Sequence, residues 1–165
     1  MLVLDTSTLI LLAKADVLPI LVESTPLIIP HEVETEALAN PLLYDAQVIA
    51  RLVQAKAIRI IREGSRAQRR RLETDFKLGV GEAAAVLLAM ERHLPLGTDD
   101  GPAIKAAKVL RVSFLTALHV VTALDEQGRL DRQVALSKLD TLQRWGRYAP
   151  PILEVARAQI RKEAS

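Results

Sequence analysis

Leu2-Val3-Leu4-Asp5-Thr6-Ser7-Thr8, at the start of the chain, sets how everything after it is read. Three apolar residues make a run of strand length that stops at a carboxylate, and three hydroxyl residues then offer caps for a helix through Ala13. A strand that ends on an acid and turns directly into a helix is the first half of a βα unit. The same punctuation recurs downstream. Leu27-Ile28-Ile29 forms a second strand stopped by Pro30, with a helix from about Glu32 to Ala39; Pro41 separates it from a helix of about Asp45 to Gln54, which leads into a third strand, Ile58 to Ile61. The arginine-rich stretch after Gly64-Ser65 reads as helix to Leu72, and Gly79 and Gly81 punctuate the chain before an alanine- and leucine-rich helix from Glu82 to Met90. Leu94 to Thr98 is a fourth strand despite Pro95, because Asp99-Asp100-Gly101-Pro102 then starts a helix running to Leu110. Val112 to Leu115 is the fifth strand, Thr116 caps a helix ending at Gly128, Asp131 caps one reaching about Trp145, and a last helix follows Pro150-Pro151. Strands alternating with helices in this way predict an α/β domain built on a parallel sheet.

Composition narrows the class. With 165 residues, half of them apolar, the chain fits a single domain with a substantial core. Cysteine is absent, which removes disulfides, thiolate zinc sites and cysteine nucleophiles. The longest early apolar run, Leu9-Ile10-Leu11-Leu12, has Asp5 before it and no basic residue ahead, so it is neither a signal peptide nor a membrane span; a cytoplasmic setting without membrane partners is expected. The formal charge is only +2, but Arg66, Arg69, Arg70 and Arg71 cluster, as do Arg157, Arg161 and Lys162, which permits contact with nucleic-acid phosphates. Aromatic residues make up 3% of the chain, too few for a base-stacking platform.

In open parallel sheets, ligands bind beyond the carboxyl ends of the strands, where strand order reverses. Asp5 ends the first strand and Asp99 and Asp100 follow the fourth, so both points face that side. Glu36, in the helix after the second strand, and Glu82, in the first turn of the helix before the fourth, can reach the same rim. Glu32 shares a helix face with Glu36, and Glu36 is chosen because it lies deeper in the helix. Carboxylates crowded together take up protons unless a cation offsets them, and an all-oxygen donor set selects magnesium or manganese over zinc. Each acid also has a plainer role: Asp5 and Asp100 as helix caps, Glu82 as a dipole partner, Glu36 as a solvated helix residue. Either Asp99 or Asp100 can be the ligand. What points to chemistry is the set, not any member.

Those residues resemble the PIN-domain nucleases, including the toxins of VapBC toxin-antitoxin systems. Leu2 to Ser7 looks like the family's opening strand with a metal-binding aspartate at Asp5; Pro30-His31-Glu32-Val33-Glu34-Thr35-Glu36 is similar to the second motif and puts its acid at Glu36; Gly81-Glu82-Ala83-Ala84-Ala85 resembles the third, and Thr98-Asp99-Asp100 the fourth. The likeness runs from the first strand to at least Leu124. It implies a three-layer α/β/α PIN-like fold with a central, mostly parallel sheet of four to five strands, and a C-terminal helical extension from about residue 131 within one domain. It further implies magnesium- or manganese-dependent cleavage of RNA, with Asp5, Glu36, Glu82, Asp99 and Asp100 as the catalytic set and all but Glu36 holding metal. Thr6, Ser7 and Thr98 would support the acids, and Arg66, Arg69 and Arg70 would contact RNA. A homodimer and a cognate antitoxin are implied as partners. Two departures stand out: glutamate replaces the commoner aspartate at position 82, and Leu115 to His119 contains no acid.

Other signals fail on inspection. His31-Glu32 begins like a zinc-protease helix, but Thr35 stands where the second histidine is required. Gly79-Val80-Gly81 with Ala84 fits a dinucleotide fingerprint on paper, yet no strand precedes it and Glu82 would repel a pyrophosphate. His93 and His119 read as ordinary helix residues, and Trp145 and Tyr148 as core or interface anchors. Two rival functions remain. A haloacid-dehalogenase-type phosphatase also opens with a strand, an aspartate and Thr6, but needs a second aspartate where Ser7 stands. A degenerate PIN-like domain would bind RNA or protein without chemistry.

Overall fold

Leu2, Val3 and Leu4 are all buried, and so is every residue of Leu27–Pro30. Successive strand residues point to opposite faces, so strands buried throughout have helices on both sides. The computed structural model, which describes residues 1–162, shows that three-layer arrangement around five strands: β1 (Leu2–Leu4), β2 (Leu27–Pro30), β3 (Ile58–Ile61), β4 (Leu96–Gly97) and β5 (Phe114–Leu115). Their order is β3-β2-β1-β4-β5, and all four pairings are parallel.

Helices α1 (Thr6–Lys14), α2 (Leu18–Ser24), α3 (His31–Ala37), α4 (Tyr44–Gln54) and α5 (Arg66–Phe76) connect the first half. The second half holds α6 (Val80–Arg92), α7 (Gly101–Val109), α8 (Ala117–Glu126), α9 (Arg132–Trp145) and α10 (Pro150–Lys162). Helices α5, α6 and α7 pack on one another, α1 packs with α4, α8 and α9, and α3 touches both α1 and α6.

Strand order grows outward from β1 through β2 to β3, then resumes on the other side of β1 with β4. The reversal therefore lies between β1 and β4. Val3 is in register with Leu96 and Leu4 with Gly97, so the next residues, Asp5 and Thr98, leave the sheet side by side. Gly97 has no side chain for a local reason: a Cβ there would run into the buried Leu4 side chain.

Several boundaries differ from the sequence expectation. The fourth strand is only Leu96–Gly97, because Leu94 N still bonds Ala89 O at the end of α6 and Pro95 has no N–H to donate. Helix α5 runs past Leu72 to Phe76, and its stop is Lys77 in the left-handed conformation (φ 54°) rather than a glycine. A basic residue at a helix C-terminus complements the dipole, which offsets part of the strain of positive φ. Helix α1 is capped by Asp5 itself, not by the hydroxyls after it. Helix α2 was not expected; Pro19 is tolerated in its first turn, and Leu18 and Leu21 are buried.

Beyond residue 131 the chain does not merely trail. Leu139, Leu142 and Leu153 are completely buried in the same apolar cluster as Leu4 and Leu9. Leu139→Ala is expected to lower unfolding free energy by about 3 kcal/mol, the range for a buried leucine truncation. Urea melts of Leu139→Ala and Leu9→Ala should each show a single transition; a separate early transition in the first would mean that α9 and α10 fold as a unit of their own.

Candidate active site

Asp5 is wholly buried at the point where β1 turns into α1. Its Oδ1 accepts from the Thr8 backbone N–H (2.9 Å) and Ser7 Oγ (3.0 Å), and its Oδ2 from Thr98 Oγ1 (2.5 Å). Every one of these donors is neutral. Burial dominates over their help and pushes the carboxyl up to about 6 from an ordinary 3.8. Asp5 thus does cap α1, as the plainer reading held, and is at the same time a buried acid at the sheet's switch point.

Thr98 joins this acid to the next segment. Its hydroxyl donates to Asp5 and accepts from the Asp100 backbone N–H at 3.2 Å. Asp100 caps α7 by accepting from the Ala103 N–H at 2.9 Å through Oδ2. Asp99 is held differently. Its Oδ2 accepts from Thr8 Oγ1 (2.7 Å) and the Ala117 N–H (3.0 Å), and its Oδ1 from the Tyr148 hydroxyl (2.5 Å). Burial first, and the Asp99 charge second, push the Tyr148 hydroxyl well above its usual range, so it stays a donor.

Glu36 reaches the rim from α3. Its Oε2 accepts from Thr6 Oγ1 at 2.6 Å and its Oε1 from the Gly81 N–H at 2.9 Å. A Cβ on residue 81 would collide with both the Glu36 carboxylate and the Thr6 hydroxyl, so glycine is what lets α6 come this close. Glu82, in the next position, folds back over Gly79. Burial raises its pKa, the like charges of Glu36 and Asp100 raise it further, and the backbone N–H groups of Glu82 and Gly79 oppose them. Glu36, Glu82 and Asp100 therefore share one electrostatic neighbourhood.

Glu32 and Glu36 differ in the charge of their partners. Glu32 is paired with Arg69, which also binds Glu73 at 3.0 Å, whereas Glu36 has only neutral partners. The same pairing engages Arg69, which was expected to contact RNA, with two carboxylates. Arg66 and Arg70 are exposed, and Arg66 lines, with Arg62, Ser65 and Glu32, a cavity of about 190 Å³.

Of the expected supports, Thr6 holds Glu36 while Ser7 and Thr98 hold Asp5. Sequence reasoning missed Thr8 and Tyr148. Tyr148 is not simply a packing anchor, because its hydroxyl sits on Asp99, 49 positions away, and no local pattern announces such a contact. Trp145 is not core either: it is 55% exposed, with Lys14 Nζ 4.3 Å from its ring centre.

The donor set suits a hard divalent cation in kind: it is all carboxylate oxygen, with neutral hydrogen-bond partners around Asp5, Glu36 and Asp99. As the side chains lie, no three acidic or imidazole groups among the described residues are gathered closely enough to hold an ion. Glu36 is turned to Thr6 and Gly81, and Asp99 to Thr8, Ala117 and Tyr148. Among the described residues no helix is long and apolar enough to cross a membrane.

A family model described as a PIN domain matches residues 1–162. No curated protein and no solved structure matches the chain.

The raised carboxyl of Asp5 has a consequence for stability. Between the ordinary 3.8 and about 6 the native state holds a proton that the unfolded chain has lost, so stability falls as pH rises through that window. Above it the loss is complete, about 3 kcal/mol by linkage. Asp5→Asn should remove this dependence: in EDTA its melting temperature should overtake that of the parent between pH 4 and pH 7. Parallel pH profiles for the two proteins would show that Asp5 is not destabilised by burial.

Proposed function

Since this chain belongs to the PIN-domain family, a family of nucleases, we propose that it is a magnesium- or manganese-dependent ribonuclease. The observation that carries the reading is the placement of Asp5 and Thr98 to Asp100 at the β1/β4 reversal, with Glu36 and Glu82 brought alongside by the Gly81 contact. Asp5, Glu82 and Asp100 would hold the ion, with Glu36 facing them. A divalent ion bound there supplies charge to stabilise the phosphate in its transition state and makes a water more acidic.

The chain's own groups do the rest. Thr98 fixes Asp5 relative to Asp100, Thr6 and the Gly81 N–H fix Glu36, and Ser7 and Thr8 aim the second Asp5 oxygen. Exposed Arg66 and Arg70 lie on the α5 side of the molecule and offer phosphate contacts that do not depend on sequence. We further propose a homodimer, and the role of toxin with a cognate antitoxin that occludes the acids. The phosphatase alternative is weakened by Ser7, which spends its hydroxyl on Asp5 and supplies no general acid.

The spread of the acids gives one specific reason to keep a second reading, a catalytically weak PIN-like domain that binds RNA or a protein. Cleavage of an RNA substrate with manganese and with EDTA separates the two. Manganese-dependent cleavage should fall by about a hundredfold or more in Asp5→Asn and in Glu82→Gln, as expected when groups acting in the transition state are lost. Undiminished cleavage in either variant defeats the nuclease reading; RNA binding with no cleavage under any divalent ion establishes the second.

A further inference from the structure

Asp99 differs from the other acids in how completely it is engaged. A carboxylate offers about four lone-pair directions. The Thr8 hydroxyl and Ala117 N–H take Oδ2, the Tyr148 hydroxyl takes Oδ1, and Ala117 N also lies 3.3 Å from Oδ1. Asp100, one position on, commits a single oxygen to Ala103. Thr8 bridges the two aspartates that leave neighbouring strands, giving its backbone N–H to Asp5 and its hydroxyl to Asp99.

Tyr148 lies between α9 and α10, and its ring packs against Gly146, where a Cβ would collide with it. A hydrogen-bonded path thus runs from Tyr148 through Asp99 and Thr8 to Asp5. It ties the segment between α9 and α10 to the most buried acid of the site.

Resting on the nuclease reading and deepening it, we propose that Tyr148 is a positioning residue: its hydroxyl holds Asp99 as an outer brace of Asp5, so that Asp100, not Asp99, faces the ion. The ring contributes packing and the hydroxyl contributes orientation, and Tyr148→Phe separates the two. Loss of the hydroxyl leaves Asp99 Oδ1 with only the Ala117 N–H at 3.3 Å and loosens the Thr8 bridge without opening a cavity.

The test uses two measurements on the full chain: manganese titration followed by melting temperature without RNA, and steady-state RNA cleavage. Asp100→Asn should raise the half-saturating manganese concentration by about tenfold or more, while Asp99→Asn and Tyr148→Phe shift it by less than about threefold. Both of the latter should lower kcat by about tenfold with KM little changed, as expected for groups that orient reacting partners. The double variant Tyr148→Phe/Asp99→Asn should be no slower than the worse single variant, since both changes break one path. Asp99→Asn losing its manganese response as fully as Asp100→Asn overturns the assignment. A Tyr148→Phe protein with unchanged kcat, whatever its melting temperature, overturns the positioning role. A parent protein that neither responds to manganese nor cleaves RNA defeats the nuclease reading and this proposal with it, a result separable from the other two because it appears before any substitution.

Discussion

The structure turns on one carboxylate held out of water without a counter-charge. Asp5 is set at the end of β1 by the register with β4, and every donor around it is neutral. Three neutral hydrogen bonds make the ionised form tolerable but do not replace the hydration lost, which is why burial outweighs them. An acid kept in that condition at a sheet's switch point invites a cation, because a cation is what would make the charge inexpensive there. The surrounding acids make the same demand collectively: Glu82 is raised by its neighbours Glu36 and Asp100 as well as by burial.

Around that charge, the fold spends small residues and hydroxyls. Gly97 admits the Leu4 side chain and so keeps β1 and β4 in register; Gly81 admits the Glu36 carboxylate and so brings α3 against α6. Thr6, Thr8 and Thr98 each connect one acid to another element by a single side-chain contact. The arginines stand apart from this centre. Arg69 is spent on Glu32 and Glu73, Arg157 on Asp140 and Glu154, and the exposed remainder of α5 faces solvent. The exposed arginines and the acidic centre are therefore separate features.

Much of this was legible in the residues, for identifiable reasons. Leu27 to Ile29 is an apolar run bounded by Pro26 and Pro30, and Ile58 to Ile61 is apolar but for Arg59, so local pattern suffices to find both strands. Asp5, Asp99 and Asp100 sit at strand ends, so their side of the sheet follows from the topology alone. Helix α2 escaped because Pro19 looks like a breaker when it is in fact first-turn proline, and α5 was cut short because its stop is a left-handed lysine rather than glycine. Asp99 and Asp100 could not be told apart, since what distinguishes them is which donors meet each carboxylate. Those donors come from Thr8, Ala117 and Tyr148 in one case and Ala103 in the other. Long-range contacts of that kind leave no periodic trace.

The central claim is that these separated carboxylates close on a shared ion. Diffraction at the manganese absorption edge, from crystals grown with manganese, tests it most directly. The expected result is an anomalous peak within coordination distance of Asp5 and at least two of Glu36, Glu82 and Asp100, with Asp99 still bonded to Tyr148. Well-ordered crystals at saturating manganese with no peak at Asp5, or a peak held by Asp99 in place of Asp100, would contradict it.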